Sequence, residues 1–298
     1  MLGIGGGGDV VGALALGRRC EQLGTEFSLG GVAWERFSRD PRPGPRPIDE
    51  IAGGRRVGDH AVLADHQTAT DDGVLFSEAY AAAHLGTETA LIDVTGGPAG
   101  AAKGIAAAAE ALGCDLVLYV DIGGDAIAKG SEPGLSSPLC DAVMLAAAQT
   151  LDADLPGTGV VLGAGCDGEL TPDEVVARVA ALARARAWTG SWSVTSEIAD
   201  EVEEAATGSG TEASLQVVRC ARGEHGLAEI RGGRRTVPIG PIGALAFCFD
   251  VVAAAPALPL VEAVKGAKDL EAARRALEAL GIRTELDWER DRAAEARN

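Results

Sequence analysis

An α/β fold built on a mainly parallel sheet is predicted by three features of this 298-residue sequence. Short apolar runs alternate with longer Ala-rich stretches of helical period, the pattern of successive β-α units. The strand candidates are apolar throughout, so helices are expected to cover both faces of the sheet. Gly- and Asp-rich loops follow several of these runs, where a parallel sheet gathers its connections at the carboxyl ends of its strands. Together these features predict a Rossmann-like three-layer sandwich, a single α/β domain over residues 1–298, with a ligand pocket at that edge.

Strands are expected at Leu2 to Ile4, Val62 to Ala64, Thr89 to Val94, Leu116 to Asp121 and Gly159 to Gly163. The first is too short for a full strand, so it is either an abbreviated edge strand or the mark of a misassigned start. Helices fit Val10 to Leu23, Ala99 to Leu112, Leu139 to Leu151 and Pro172 to Ala187. Further helices fit Ile198 to Ala206, Ala213 to Ala221 and Leu270 to Leu280. Gly113 and Gly281 follow two of them as C-terminal caps. Thr171-Pro172-Asp173-Glu174 supplies an N-cap, a first-turn proline and two carboxylates for the positive helix end. Ser137-Pro138 has the form of another helix entry, with Ser137 as N-cap.

Residues 38–47 hold four prolines and three arginines, an exposed connection with the makings of a lid. Residues 223–241 change to Gly, Arg and β-branched types, which suggests a hairpin or excursion. The charged tail, residues 287–298, reads as a frayed helix.

The composition is globular, 47% hydrophobic and 23% charged, but only 4% aromatic, so the core must be mainly aliphatic. A formal net charge of −18 would repel a phosphate backbone and an anionic bilayer, which argues against nucleic-acid and membrane partners. No apolar run reaches the roughly 20 residues of a spanning helix. Six dispersed cysteines with no CxxC pair point to reduced, buried thiols and a cytoplasmic protein. Homo-oligomerisation stays open.

The first strand leads through Gly5-Gly6-Gly7-Gly8-Asp9 into a helix. Glycines there let backbone amides approach a phosphate or carboxylate, and the helix N-terminus favours negative charge. The same turn also reads as a plain strand-to-helix connection with Asp9 as N-cap. The only acidic residue near the spacing of a dinucleotide fold is Glu26, so no NAD site is inferred. Thr95-Gly96-Gly97 repeats the design after another strand.

The third loop, Asp121-Ile122-Gly123-Gly124-Asp125, sets two carboxylates beside glycines that permit close approach of a metal, a sugar hydroxyl or an ammonium group. Asp121 and Asp125 are therefore the first candidates for catalysis and for Mg²⁺. Lys129 and Glu132 follow on the same connection as ligand-binding candidates, and Asp167 and Glu169 bring two more acids after the next strand. Four acidic side chains facing one crevice suit Mg²⁺ assistance or acid/base work. Cys166 has no histidine near it in sequence and reads as a small structural thiol. Thr211, Glu212 and Ser214 introduce a later helix, where they either cap it or hold a ligand.

Several of these segments in order resemble the domain-of-unknown-function 1152 family: Gly5 to Ala13, Val120 to Asp125, Ser137-Pro138-Leu139, Asp167 to Leu170 and Thr211 to Ser214. The family's distinctive residues coincide with the loops selected above, so the resemblance implies a pocket there and no particular reaction. The short N-terminus departs from members with a complete first strand.

The leading expectation is a small-molecule enzyme, a hydrolase or group transferase acting on a phosphorylated or nucleotide-like anionic metabolite. A lyase or cyclase on an amino-acid-like substrate would use the same acids for proton transfer, and a non-catalytic metabolite-binding regulator would use them only to hold a ligand.

Overall fold

The computed structural model describes residues 1–151 and 153–297. The chain begins with β1 (Leu2–Gly3), α1 (Asp9–Gln22), β2 (Gly30–Val32), β3 (Ile51–Ala52), β4 (Arg55–Arg56), β5 (Ala61–Ala64) and β6 (Ala69–Thr70). It continues with α2 (Ser77–Leu85), β7 (Thr89–Ile92), α3 (Gly97–Leu112), β8 (Val117–Ile122), α4 (Pro138–Leu151), β9 (Gly157–Leu162) and α5 (Pro172–Arg184). Then come β10 (Trp188–Ser193), α6 (Ser196–Ser209), α7 (Glu212–Ala221), β11 (Gly226–Ile230) and β12 (Arg235–Ile239). The last elements are β13 (Leu245–Asp250), α8 (Pro259–Val264), α9 (Leu270–Glu278) and α10 (Glu285–Glu295).

One nine-stranded sheet has the order β10-β13-β9-β8-β1-β2-β7-β5-β4. The strands from β9 to β7 run parallel, and antiparallel strands extend both edges. Counted along the chain, the parallel core has the doubly wound order 3-2-1-4-5, which reverses direction between β1 and β8. Helices α1, α2, α6 and α7 cover one face, and α3, α4, α5, α8 and α9 the other. Close approach of helix to sheet depends on small residues: a Cβ added at Gly12 of α1 would lie 2.3 Å from Ile122 Cδ1 of β8. That contact brings the start of α1 against the end of β8. No helix of the described residues is long and apolar enough to cross a membrane.

The three-layer α/β arrangement agrees with the sequence expectation; several elements differ. β1 is not an edge strand: it lies mid-sheet, paired to β2 and β8. β2, β10, β13, α2 and α8 carried no clear local signal. In β2, Gly30-Gly31-Val32 has poor strand propensity because Gly31 must pass Glu78, whose Oε1 would stand 1.9 Å from an added Cβ. β10 (WTGSWS) contains a glycine and a largely exposed edge. Residues 226–239 form the β11–β12 hairpin. In the stretch 38–47, expected to be exposed, Arg46 is buried and bonds to Asp40 and Asp72. The tail carries α10, which buries Glu285, Leu286 and Glu289.

Candidate functional site

Ligands of doubly wound folds collect where the winding reverses, outside the carboxyl ends of the strands. Here that point lies between the turn after β1 and the turn after β8. Asp9 opens α1, Asp121 ends β8, and Asp141 projects from the first turn of α4. Their carboxylate oxygens lie within 4.8 Å of one another. Asp9 Oδ2 accepts the Gly5 N–H at 2.8 Å, whereas Asp121 Oδ2 and Asp141 Oδ1 are buried with no hydrogen-bond partner among the described residues. Burial pushes the Asp9 carboxyl up to about 7, against the pull of Arg36. Burial and repulsion from neighbouring carboxylates push Asp121 and Asp141 well above the ordinary carboxylate range.

A second triad, Asp125, Asp167 and Glu169, also has oxygens within 4.8 Å of one another. The Asp121 and Asp125 carboxyls influence each other's titration and so couple it to the first. Ser137 Oγ donates to Glu169 Oε1 at 2.6 Å and lies 3.3 Å from Asp125 Oδ2. The Ser136 and Ser137 amides donate to Glu169 Oε2 at 2.7 and 2.8 Å. Burial pushes Glu169 up, but the Ser137 bond and nearby arginines outweigh it, so this carboxyl sits below its ordinary value. Asp167, raised by burial and by Glu169, reaches about 7. Burial, Asp141 and Glu169 hold Asp125 well above the ordinary range. Gly123 is needed for this closure: its φ is +132°, and an added Cβ would lie 2.2 Å from Asp167 Cγ.

Three arginines face the acids. Arg36, beyond β2, packs on Gly7, where an added Cβ would meet Arg36 Cγ at 2.6 Å. Its guanidinium feels Asp9, Glu169, Glu285 and Asp125 but makes no direct hydrogen bond or ion pair with a described residue. The β11–β12 hairpin supplies Arg231, 3.5 Å from Glu169 Oε1, and Arg235, which donates to Ser136 Oγ at 2.9 Å. From α10, Glu285 accepts the Leu139 and Cys140 amides at 3.0 and 2.7 Å. The first turn of α4 is therefore capped by a distant carboxylate, and the Ser137 hydroxyl, expected to cap it, goes to Glu169 instead.

The structure thus gathers Asp9, Asp121, Asp125, Asp167 and Glu169 around the Gly5–Gly8 and Gly123–Gly124 turns. Of the first turn's amides, those of Gly5, Gly7 and Gly8 are taken by Asp9, the Trp34 carbonyl and the Gly6 carbonyl. An anion cradle built from these three is not available. Thr211 packs on Gly8, Ser214 lies beside Gly12, and Glu212 accepts the Arg231 amide at 2.6 Å, so this segment borders the crevice.

Two other segments stand apart from the acid cluster. Thr95 bonds to Asp93, the His60 ring packs on Gly96, and Gly97 abuts Ala267 and Asp269. Lys129 is exposed, and Glu132 turns back to accept the amides of residues 129 and 130. Arg36, Asp141 and Glu285 join the site without being among the residues expected there. Asp141 had a signal, four residues beyond Ser137 at a helix entry; Arg36 depended on recognising β2, and Glu285 had none.

A family model described as "Protein of unknown function (DUF1152)" matches residues 1–293. No curated protein and no solved structure matches the chain.

Proposed function

The chain belongs to the DUF1152 family, and we propose that it is a metal-assisted hydrolase or group transferase acting on a small phosphorylated or nucleotide-like metabolite at this crevice. The observation that carries the reading is the pair of buried, unpartnered oxygens, Asp121 Oδ2 and Asp141 Oδ1, beside Asp9. A buried carboxylate oxygen left without a donor is costly, and a hard divalent cation such as Mg²⁺ would satisfy both.

Charge supports the same reading. Seven carboxyls (Asp9, Asp121, Asp125, Asp141, Asp167, Glu169, Glu285) share the crevice with three arginines (Arg36, Arg231, Arg235). Once ionised, such an excess repels a free phosphate; a cation on Asp9, Asp121 and Asp141 would favour their ionised forms and reverse the local field. Arg36, whose guanidinium has no hydrogen bond or ion pair among the described residues, would then hold a phosphate oxygen through its unused donors. Asp125, whose carboxyl burial and neighbouring acids raise well above the ordinary range, is suited to donate to a leaving group, and Ser137 orients it. Mg²⁺ would supply charge neutralisation and Lewis acidity. The ligand is a small molecule in this reading, since the net charge of −18 disfavours a nucleic acid.

Thermal unfolding at about pH 8 with and without Mg²⁺, in the presence of nucleotides, sugar phosphates or amino acids, tests the proposal. Saturating a site at about 100 times Kd adds about 2.7 kcal/mol to stability. Mg²⁺ is expected to raise the melting temperature of the wild type but not of Asp121→Asn. A wild type indifferent to Mg²⁺ and Mn²⁺ overturns the metal reading. Asp9 and Asp167, both near 7, can also exchange protons at neutral pH, which favours a metal-free lyase or cyclase as the second reading. Turnover of an amino acid in the presence of a chelator identifies that case.

A further inference from the structure

Two cysteines stand together beside the acid cluster. Cys166 lies in the turn after β9, one residue before Asp167, and Cys220 lies in the last turn of α7, just ahead of the exposed turn 222–225. The sulfurs flank Gly243: a Cβ added there would lie 2.6 Å from Cys220 Sγ and 3.0 Å from Cys166 Sγ. The glycine leaves room for two thiols where any larger residue would displace one. Cys220 Sγ accepts the Gly240 amide at 3.4 Å, and Cys166 Sγ faces the Gly243 carbonyl at 3.9 Å.

The two sulfurs are chemically unequal. The neighbouring Cys166 thiol holds Cys220 down to about 7, and Cys220 together with burial holds Cys166 up. Burial instead raises the thiols of Cys20, Cys140 and Cys248. One sulfur of the pair is therefore prepared to react as thiolate and the other to resolve.

We propose that Cys166 and Cys220 form a dithiol that hydrogen peroxide or a similarly small peroxide oxidises to an intramolecular disulfide, a reversible modification site abutting the acidic crevice. The Cys220 thiolate attacks one peroxide oxygen; the O–O bond breaks, hydroxide leaves, and Cys220 becomes a sulfenic acid. The Cys166 sulfur then attacks the sulfenic sulfur, the S–S bond forms, and the displaced hydroxyl leaves with the Cys166 proton as water. The proton first lost by Cys220 neutralises the hydroxide, so two thiols give up two electrons and one peroxide becomes two waters. Both cysteines are nearly fully buried, which favours a small oxidant over a bulky disulfide. The bond ties the segment that carries Asp167 and Glu169 to α7. None of this depends on metal binding.

The test is oxidation of the intact native protein by a modest excess of hydrogen peroxide at about pH 8, where a thiol near 7 is mostly thiolate. Unreacted thiols are blocked with N-ethylmaleimide in denaturant, and the chain is digested without reductant for peptide mass mapping. A peptide linking Cys166 to Cys220 is expected as the dominant cross-link, lost on addition of dithiothreitol, absent in Cys220→Ser and retained in Cys248→Ser. The oxidised wild type is also expected to melt at a higher temperature than the reduced one, because the bond closes a loop of about 50 residues. Recovery of both cysteines as maleimide adducts, or of Cys220 as a sulfinic acid with Cys166 unlinked, overturns the proposal. The wild-type map decides the matter even if a cysteine variant fails to fold.

Discussion

Replacing Asp9 by asparagine separates the cost of the buried acids from their use. Burial lifts the Asp9 carboxyl from its ordinary 3.8 to about 7. The fold then holds this proton more tightly than the unfolded chain does. Its contribution to stability is complete below about pH 4 and is lost as pH rises through 7. The loss at about pH 8 would be about 4 kcal/mol if Asp9 titrated alone. Asp121 and Asp141 share the titration, so about half of that is expected.

Asparagine removes the charge while its amide oxygen can still accept the Gly5 amide, bonded at 2.8 Å to Asp9. The variant also loses a favourable negative charge in the first turn of α1, about 0.5 kcal/mol. Asp9→Asn should therefore be more stable than wild type by about 1.5 kcal/mol at about pH 8 in a chelator, and by roughly half of that near pH 5, where Asp9 is neutral in the fold and no first-turn charge is lost. Urea unfolding at both pH values, with EDTA or with Mg²⁺, measures the difference. Mg²⁺ should stabilise the wild type and leave the variant unchanged. A variant less stable than wild type at about pH 8, or one that gains as much from Mg²⁺, refutes the reasoning.

Two further outcomes follow from the same geometry. Arg36→Ala should weaken a phosphate-bearing ligand about 10- to 100-fold in the presence of Mg²⁺, the worth of one charged hydrogen-bond donor; calorimetry that finds the affinity unchanged removes Arg36 from the site. Glu285→Ala strands the Leu139 and Cys140 amides and should cost about 1–3 kcal/mol at about pH 5.5, where this carboxyl, raised to about 7 by burial, is neutral. Glu285→Gln keeps one acceptor and should lose less in the same urea titration; equal stability of Glu285→Ala and wild type shows that water replaces the cap.

The most legible parts were those whose signal is local. Thr171-Pro172-Asp173-Glu174 announces α5, and the structure forms the full capping box there. The apolar run into Asp121-Ile122-Gly123-Gly124-Asp125 announces a strand and a carboxylate-bearing turn, because strand propensity ends where glycine conformations begin. Loops bearing Asp9, Asp167 and Glu169 stood out in the same way. Thr95 and Lys129 had equally good local patterns, yet their loops bond within themselves.

Local sequence suffices for the α/β class, the apolar strands buried between helices, and the turns whose glycines leave carboxylates at strand ends. These depend on the periodicity and backbone freedom of neighbouring residues. Long-range packing places β1 mid-sheet beside β8, brings Arg36 to the acids from beyond β2, and lets Glu285 cap α4 from far along the chain. Each of these is a contact between segments distant in sequence. Whether a buried carboxylate finds a donor, as Glu169 does, or is left without one, as Asp121 Oδ2 and Asp141 Oδ1 are, depends on which segments packing brings there.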